Sequence, residues 1–413
     1  MNEIITMQDI KNGKMKEVQW KRESFRKDGT SYPDKVLENL ECVLKKHNIK
    51  LRYNLITKEL ESEPPSTSRT DLLEEVYTLN VIDSLNMSRE ECIHCMNYIS
   101  HKNSYNPFVE VIQEHENSNY GIIHELFKCI IINDDNLENQ DYYFTLFTKW
   151  CLNLVKMSMN TLKKKDRANG ILVLQGLQGT RKTTFVEKLM PIDNIYNGDK
   201  TLNPDKTDSV IENTKYILVE WRELDSTLKG EQSKLKQFIT GYKDEYRSPY
   251  GRFSEVYPRL TTFIGTVNDA GFLKDATGSR RFWVIPVKGF DFDKLESIDK
   301  KELWGAVYSL WKGGTITDYL EEDEMEKLNI INRGYNYKND VSYIIEEKIN
   351  WDMPKDQWEV YGLVEIAEYL FINEKKNLKI ELEKMGLRYG GHRNSAGKTK
   401  RGFKIPRFEI RMS

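Results

Sequence analysis

The chain has 413 residues, enough to bury two or three cores of ordinary size, so several domains are expected. With 31% charged residues, a mean hydropathy of -0.64 and only 24 Gly and 11 Pro, the composition argues against extensive disorder. A net charge of -2 and a pI near 6.4 exclude a globally basic nucleic-acid coat, so any DNA contact has to be local.

The opening MNEIITMQDIKNGK lacks the apolar core of a signal peptide, and no stretch approaches the ~18 apolar residues that span a bilayer. A cytoplasmic protein with no membrane partner is expected. Residues 1–80 read as a mixed region: a helix-like KVLENLECVLKKH, the extended LRYNLITKEL and a turn at EPPSTS. Residues 81–164 read as helical, through SREECIHCMNYISH, NPFVEVIQEHENS and an amphipathic run from Tyr142 to Met159. This bundle would serve either as an oligomerisation collar or as a support for the next domain. Cys92 and Cys95 form a CxxC near His94, His101 and His115, but no second cysteine or histidine pair completes a zinc site. Ser88 and Glu91 instead make a capping box for a helix that carries both thiols. All five cysteines read as reduced thiols.

A basic joint, TLKKKDRANG, precedes an expected domain over 165–320. In ILVLQGLQGTRKTT, the apolar Ile171–Leu174 read as a buried parallel strand, followed by a Gly-containing loop and a helix. Such a loop cradles phosphates with its backbone N–H groups, here from Gly176, Gln178, Gly179, Thr180, Arg181, Lys182, Thr183 and Thr184. Lys182 would neutralise the terminal phosphates of ATP, and the Thr183 hydroxyl would bind Mg2+. Gly176 and Lys182 are in register with the usual spacing, but Arg181 stands where the second glycine belongs. Arg181 therefore either sits in an ordinary conformation or carries strain.

Further strands are expected at 216–219, 261–267 and 282–287, which together with the loop strand favour a parallel α/β sheet. Glu220 ends the apolar run YILV and Glu223 follows it, suiting Mg2+ binding and polarisation of the attacking water, in either assignment. Asn268 ends TTFIGTV, where an amide can sense the γ-phosphate. Arg280 and Arg281 precede the last strand and could act as a finger on a neighbouring subunit's phosphate. Between these lies LKQFITGYKDEYRSPYGRFSEVYPR, whose Arg247, Tyr250, Arg252 and Arg259 interleave cations with aromatics. It reads as a projecting hairpin that grips single-stranded DNA, or as a solvated loop with locally packed tyrosines.

From residue 291 onward the reading returns to helices, KELWGAVYSLWKG closing the α/β unit, and the expected C-terminal domain, 321–413, ends in a basic, Gly-punctuated hairpin. WEVYGLVEIAEYL and NEKKNLKIELEKMG read as two helices, and Arg393, Lys398, Lys400, Arg401 and Lys404 belong to the hairpin. The order suggests a winged helix that reads origin DNA; a flexible basic tail, binding any DNA, is the alternative.

The segments GLQGTRKT, VEWREL, LKQFITGYKDEYRSPYGR, PRLTTFIGTVN and FLKDATGSRRFWVIPV resemble, in order and spacing, the virulence-associated protein E group, akin to superfamily 3 AAA+ helicases. The resemblance is strong over roughly 165–290. It implies an α/β fold with an AAA+ P-loop ATPase core of superfamily 3 type, a mainly helical N-terminal region and a C-terminal winged-helix-like domain. It further implies an ATP-driven DNA helicase and replication initiator of a prophage or mobile genomic island, forming a homohexamer on single-stranded and forked DNA. On this likeness Lys182 and Thr183 are the P-loop pair, Glu220 and Glu223 the acidic motif, Asn268 the sensor, and Arg280 or Arg281 the finger. No primase domain is visible, so a primase would be a separate partner. The alternative is an origin-binding initiator or scaffold that spends ATP on assembly without processive unwinding. A small-molecule P-loop kinase would explain neither the basic tail nor the arginine pair.

Overall fold

A computed structural model describes residues 18–198, 206–222, 224, 232–247, 253–269, 271–273, 276–335, 340–372, 375–393 and 399–408. The chain forms two compact units, one of residues 1–269 and 277–331, the other of 270–276 and 332–413. Among the described residues no helix is long and apolar enough to cross a membrane.

The first unit opens with a short antiparallel ribbon, β1 (Glu23–Phe25) and β2 (Ser31–Pro33). The helix Leu37–Lys46 follows, then the hairpin β3 (Lys50–Asn54) and β4 (Glu59–Glu63), with β5 (Ser104–Tyr105) alongside β3. Leu40, Val43, Leu51, Leu72, Val76 and Met96 close a small core beneath this hairpin and the helices Arg69–Ile82 and Arg89–Lys102. The second of these helices starts as its sequence demands. Ser88 accepts from the Glu91 N–H at 3.2 Å while the Glu91 carboxylate accepts from the Ser88 N–H at 2.7 Å.

Six strands form the main sheet: β6 (Ile130–Ile132), β7 (Ile171–Gln175), β8 (Tyr196–Asn197), β9 (Leu218–Trp221), β12 (Thr262–Val267) and β13 (Phe282–Phe290). Their spatial order is β6-β13-β7-β12-β9-β8; the last five run parallel and only β6 is antiparallel. Both faces of a parallel sheet must be covered, which is why β7 and β12 read as unbroken apolar runs. The helix Leu137–Ser158 covers one face, its Trp150 indole donating to the Phe263 carbonyl at 3.0 Å. Phe108, Phe147, Trp150, Leu172, Ile264, Ile285 and Trp304 lie in one core, so the helices of 107–158 and 300–313 bury their apolar faces with the sheet.

Strand β9 starts two residues later than its apolar run suggests, which moves Glu220 from the strand's end to its interior, opposite Ile264. The acidic strand is also not the immediate neighbour of the loop strand. β12 stands between them, paired to β7 on one side and β9 on the other. A separate antiparallel hairpin, β10 (Lys243–Tyr246) and β11 (Glu255–Pro258), joins β9 to β12 along the chain.

In the second unit the helix Asp340–Lys348 is followed by β14 (Trp358–Tyr361), the helices Leu363–Leu370 and Lys375–Lys384, and the hairpin β15 (Gly390–Arg393) and β16 (Thr399–Pro406). β16 is the central strand, antiparallel to both others. Ile345, Ile366, Leu370, Leu378, Phe403 and Ile405 make its core. WEVY, expected to open a helix, is instead a strand: Trp358–Tyr361 pairs with Phe403–Pro406, and aromatic and β-branched residues suit that edge. The helix begins only after Gly362, whose N–H donates to Glu365 at 2.6 Å.

Candidate functional site

The loop 176–181 joins β7 to the helix Lys182–Glu187 at the C-terminal edge of the parallel strands. Gly176 is required by close approach, since a Cβ there would stand 2.3 Å from the Val287 carbonyl oxygen on β13. Gly179 turns the loop at φ +87°, and Arg181 is left-handed as well, at φ 63° and ψ 32°. For a residue with a Cβ that conformation costs about 1–2 kcal/mol. The Arg181 guanidinium lies 3.9 Å over the Phe292 ring, a contact that offsets about 0.5–1 kcal/mol of the cost. Arg181 thus carries strain and keeps the backbone shape that a glycine would supply.

Lys182 curls back into the loop and is only 7% exposed. Its Nζ lies 2.7 Å from the Gly176 carbonyl, 3.0 Å from that of Leu177 and 3.0 Å from Asn268 Oδ1. Burial lowers its pKa, and the nearby Glu220 charge opposes that shift. One ammonium therefore ties the loop to the end of β12. Gln178 is exposed on the loop, Thr180 accepts within 3.3 Å of Lys182 Nζ, and Thr184 is half-buried on the helix.

Glu220 is fully buried. Its Oε1 accepts from the Thr183 hydroxyl at 2.7 Å and the Thr266 hydroxyl at 2.9 Å; its Oε2 accepts from the Tyr196 hydroxyl at 2.6 Å and lies 3.6 Å from Arg222 Nε. An unpaired carboxylate here would cost several kcal/mol, and these donors replace its water. Burial first, and then the Glu220 charge, push the Tyr196 phenol far above its ordinary pKa, so it stays a donor. A Cβ on Gly198 would stand 2.3 Å from the Tyr196 hydroxyl and 2.9 Å from Glu220 Oε2, so a larger residue would push these groups out of their arrangement.

Tyr196, Thr266 and Arg222 escaped the sequence reading. Thr266 precedes Asn268 by two residues and Arg222 follows Glu220 by two, so a period of two could have found both. Tyr196, on a two-residue strand, offers no such signal. Gly179, Arg181, Lys182, Thr183, Arg222, Thr266 and Asn268 line a cleft of 310 Å³. The Thr183 hydroxyl and the Glu220 carboxylate form a hard-oxygen pair, which fits Mg2+, an ion held by one or two protein oxygens and the substrate's phosphates. Glu223 lies outside the described residues.

Arg280 and Arg281 are not brought to this cleft. They end a 3-10 turn that feeds β13, and Phe282 pairs with Ile171, so both arginines sit at the N-terminal edge of the sheet. The five residues of β7, about 16 Å of strand, separate that edge from the loop. Arg280 is exposed, whereas Arg281 Nε is buried without a hydrogen-bond partner among the described residues. Burial and the adjacent Arg280 charge lower the Arg281 pKa.

Of the residues expected to grip DNA, Tyr250, Arg252 and Lys398 lie outside the described residues. Arg247 is exposed at the end of β10. Arg259 corrects its expectation. It is 3% exposed, its Nε is held by the Asp244 carboxylate at 3.0 and 3.1 Å, and its guanidinium stacks on Phe238 at 3.9 Å, so no phosphate can reach it. Its role is to anchor the base of the β10–β11 hairpin. From the other side, Lys58 Nζ donates to the Tyr246 hydroxyl at 2.7 Å, and burial lowers the Lys58 pKa to about 8. In the second unit Arg401 and Lys404 are exposed on β16, Lys400 pairs with Glu365 at 2.8 Å, and the Arg393 backbone ends β15.

Comparison with known proteins adds the following. Two solved structures are similar to this chain, each 12% identical and each covering 89% of this chain and 98% of the other. They are the apo structure of the NrS-1 C terminal region (305-718), with a TM-score of 0.49, and an A form apo structure of the NrS-1 C terminal region, with a TM-score of 0.45. No curated protein matches. The model of the virulence-associated protein E-like domain matches residues 121–337, a span that holds the loop, the acidic strand, the Asn-ended strand and the arginine pair. As this span is more than half of the 413 residues, the chain belongs to the virulence-associated protein E-like domain family.

Proposed function

We propose that the chain is an ATP-driven DNA helicase and replication initiator of a prophage or mobile genomic island, built on an AAA+ core of superfamily 3 type. The observation that carries this reading is the meeting of Lys182, Thr183 and Asn268 in one cleft, with the buried Glu220 carboxylate bonded to Thr183 behind it. Lys182 would neutralise the terminal phosphates, and Asn268, already bonded to that ammonium, would register the γ-phosphate. Mg2+ on Thr183 and Glu220 would neutralise charge between the β- and γ-phosphates. Tyr196 and Thr266 orient the Glu220 carboxylate, and Glu223 is the candidate for orienting the attacking water.

The interposed β12 supports the AAA+ reading, since it is what places Asn268 between loop and acidic strand. The position of Arg280 and Arg281, a strand's length from their own loop, supports action on a neighbouring subunit in a homohexamer. The helix–strand–helix–helix–strand–strand order of the second unit supports a winged helix, with Arg401 and Lys404 on its hairpin for origin phosphates.

The test is ATP-dependent unwinding of a forked duplex by the full chain, run beside ATP hydrolysis. Unwinding that stops without hydrolysable ATP is the expected result. Hydrolysis without unwinding would favour the assembly-only initiator, and no hydrolysis at all would remove the motor reading. Arg401→Ala with Lys404→Ala is expected to lower origin-duplex affinity and leave hydrolysis intact.

A further inference from the structure

Resting on the reading of the cleft as a nucleoside triphosphate site, we propose that Arg181 and Phe292 form the seat of the nucleobase, selecting purine over pyrimidine nucleotides. A helix-starting loop needs nothing from the side chain at position 181, where glycine would relieve the left-handed backbone. An arginine held there against its conformational preference calls for a use. Its guanidinium is planar and already oriented, 3.9 Å over Phe292, and it lines the cleft. Among the described residues no carboxylate lies within ion-pair distance of it; the nearby Glu296 is engaged by Lys188 at 2.9 Å.

The two flanks of the cleft differ. On one, Asn268, Thr266 and Arg222 surround Lys182 and Glu220 with hydrogen-bonding groups and offer no aromatic face. On the other, the Arg181 guanidinium, backed by Phe292, offers a flat π-surface. With phosphates at Lys182, a nucleoside tethered to them would find, among the described residues that line the cleft, a planar stacking group on the Arg181 side. The guanidinium carbon lies 3.9 Å from the Phe292 ring centre and Arg181 is exposed, so a second ring can approach from the side away from Phe292. Stacking scales with ring area and does not read the base edge, so these two residues would favour adenine and guanine alike over cytosine and uracil.

The experiment measures binding of ADP, CDP and inorganic tripolyphosphate to the full chain by calorimetry, for the native protein, Arg181→Gly and Phe292→Leu. Arg181→Gly suits the left-handed backbone, and Phe292→Leu keeps the arginine's charge while removing its platform. The expected result is an ADP affinity about tenfold lower in both variants, with the ADP-over-CDP preference collapsing and tripolyphosphate affinity unchanged. If tripolyphosphate weakens in parallel with ADP, Arg181 is a phosphate ligand and the proposal falls. An ADP-over-CDP ratio that survives both substitutions overturns it as well. If the native chain binds neither ADP nor tripolyphosphate, the underlying nucleotide-site reading fails first, a result the variants cannot imitate.

Discussion

The two edges of the parallel sheet treat buried polar groups in opposite ways. At the C-terminal edge the buried charged groups Lys182 and Glu220 find partners within the same chain: Lys182 on two carbonyls and Asn268, Glu220 on three hydroxyls. At the N-terminal edge Arg281 keeps a buried Nε with no acceptor among the described residues, and Arg280 beside it adds like charge. A saturated network is rigid and preorganised. An unsatisfied buried donor costs about 1–3 kcal/mol and persists where something outside the chain completes it. The contrast separates a self-contained site from a group that, in the proposed ring, would meet an anion on another molecule.

The strongest way to break the comparison is Lys182→Ala. Hydrolysis is expected to fall to background in a protein that still folds, because the lost ammonium serves the loop and not the core. Unchanged turnover would remove the loop from the chemistry. Next in size is Arg281→Ala, expected to reduce hydrolysis by a factor of about 10³ while nucleotide affinity holds, as befits a group outside its own cleft. Mixing Lys182→Ala with Arg281→Ala subunits should then restore activity at about a quarter of the interfaces if exchange is random. Mixed subunits shown to exchange yet remaining inactive would place the arginines' role in folding.

A smaller effect sharpens the saturated edge. Tyr196→Phe removes one donor from Glu220 and is expected to destabilise the fold by about 1–3 kcal/mol and raise the Mg2+ concentration needed for half-maximal hydrolysis. A stability loss with the Mg2+ requirement unmoved would make Tyr196 purely structural. Lys58 is the intermediate case, a half-buried cation whose hydrogen bonds among the described residues go to neutral oxygens. Its pKa is lowered to about 8 from 10.5, so the unfolded chain binds more protons between these values and stability rises with pH across that window. From pH 7.5 to 9.5 the native protein should gain about 1–2 kcal/mol relative to Lys58→Met. Parallel pH profiles of the two proteins would show that Lys58 is not desolvated in the fold.

The elements that were legible are those with a local cause. The apolar run of β7, the capping box at Ser88 and Glu91, and the amphipathic run from Tyr142 announce themselves by periodicity and end signals, although that last helix begins earlier, at Leu137. WEVY misled because four residues carry too few turns to separate a strand from a helix, and β16, some 40 residues later, decides the matter. Arg259 misled because composition cannot tell a cation aimed at solvent from one stacked on Phe238 and tied to Asp244.

By itself, then, the order of residues determined which groups were available: a lysine and a threonine after a glycine loop, an acid on an apolar strand, an asparagine at a strand end, an arginine pair before the last strand. Each follows from spacing along a single element, where local geometry is set by the chain. Only tertiary structure decided which of them meet. The interposition of β12 brings Asn268 to Lys182, and Tyr196 and Thr266 reach Glu220 across three strands. The direction of β13 carries Arg281 to the far edge. Strand order depends on how whole faces are buried against the helices of 107–158 and 300–313, and no local window of sequence contains that information.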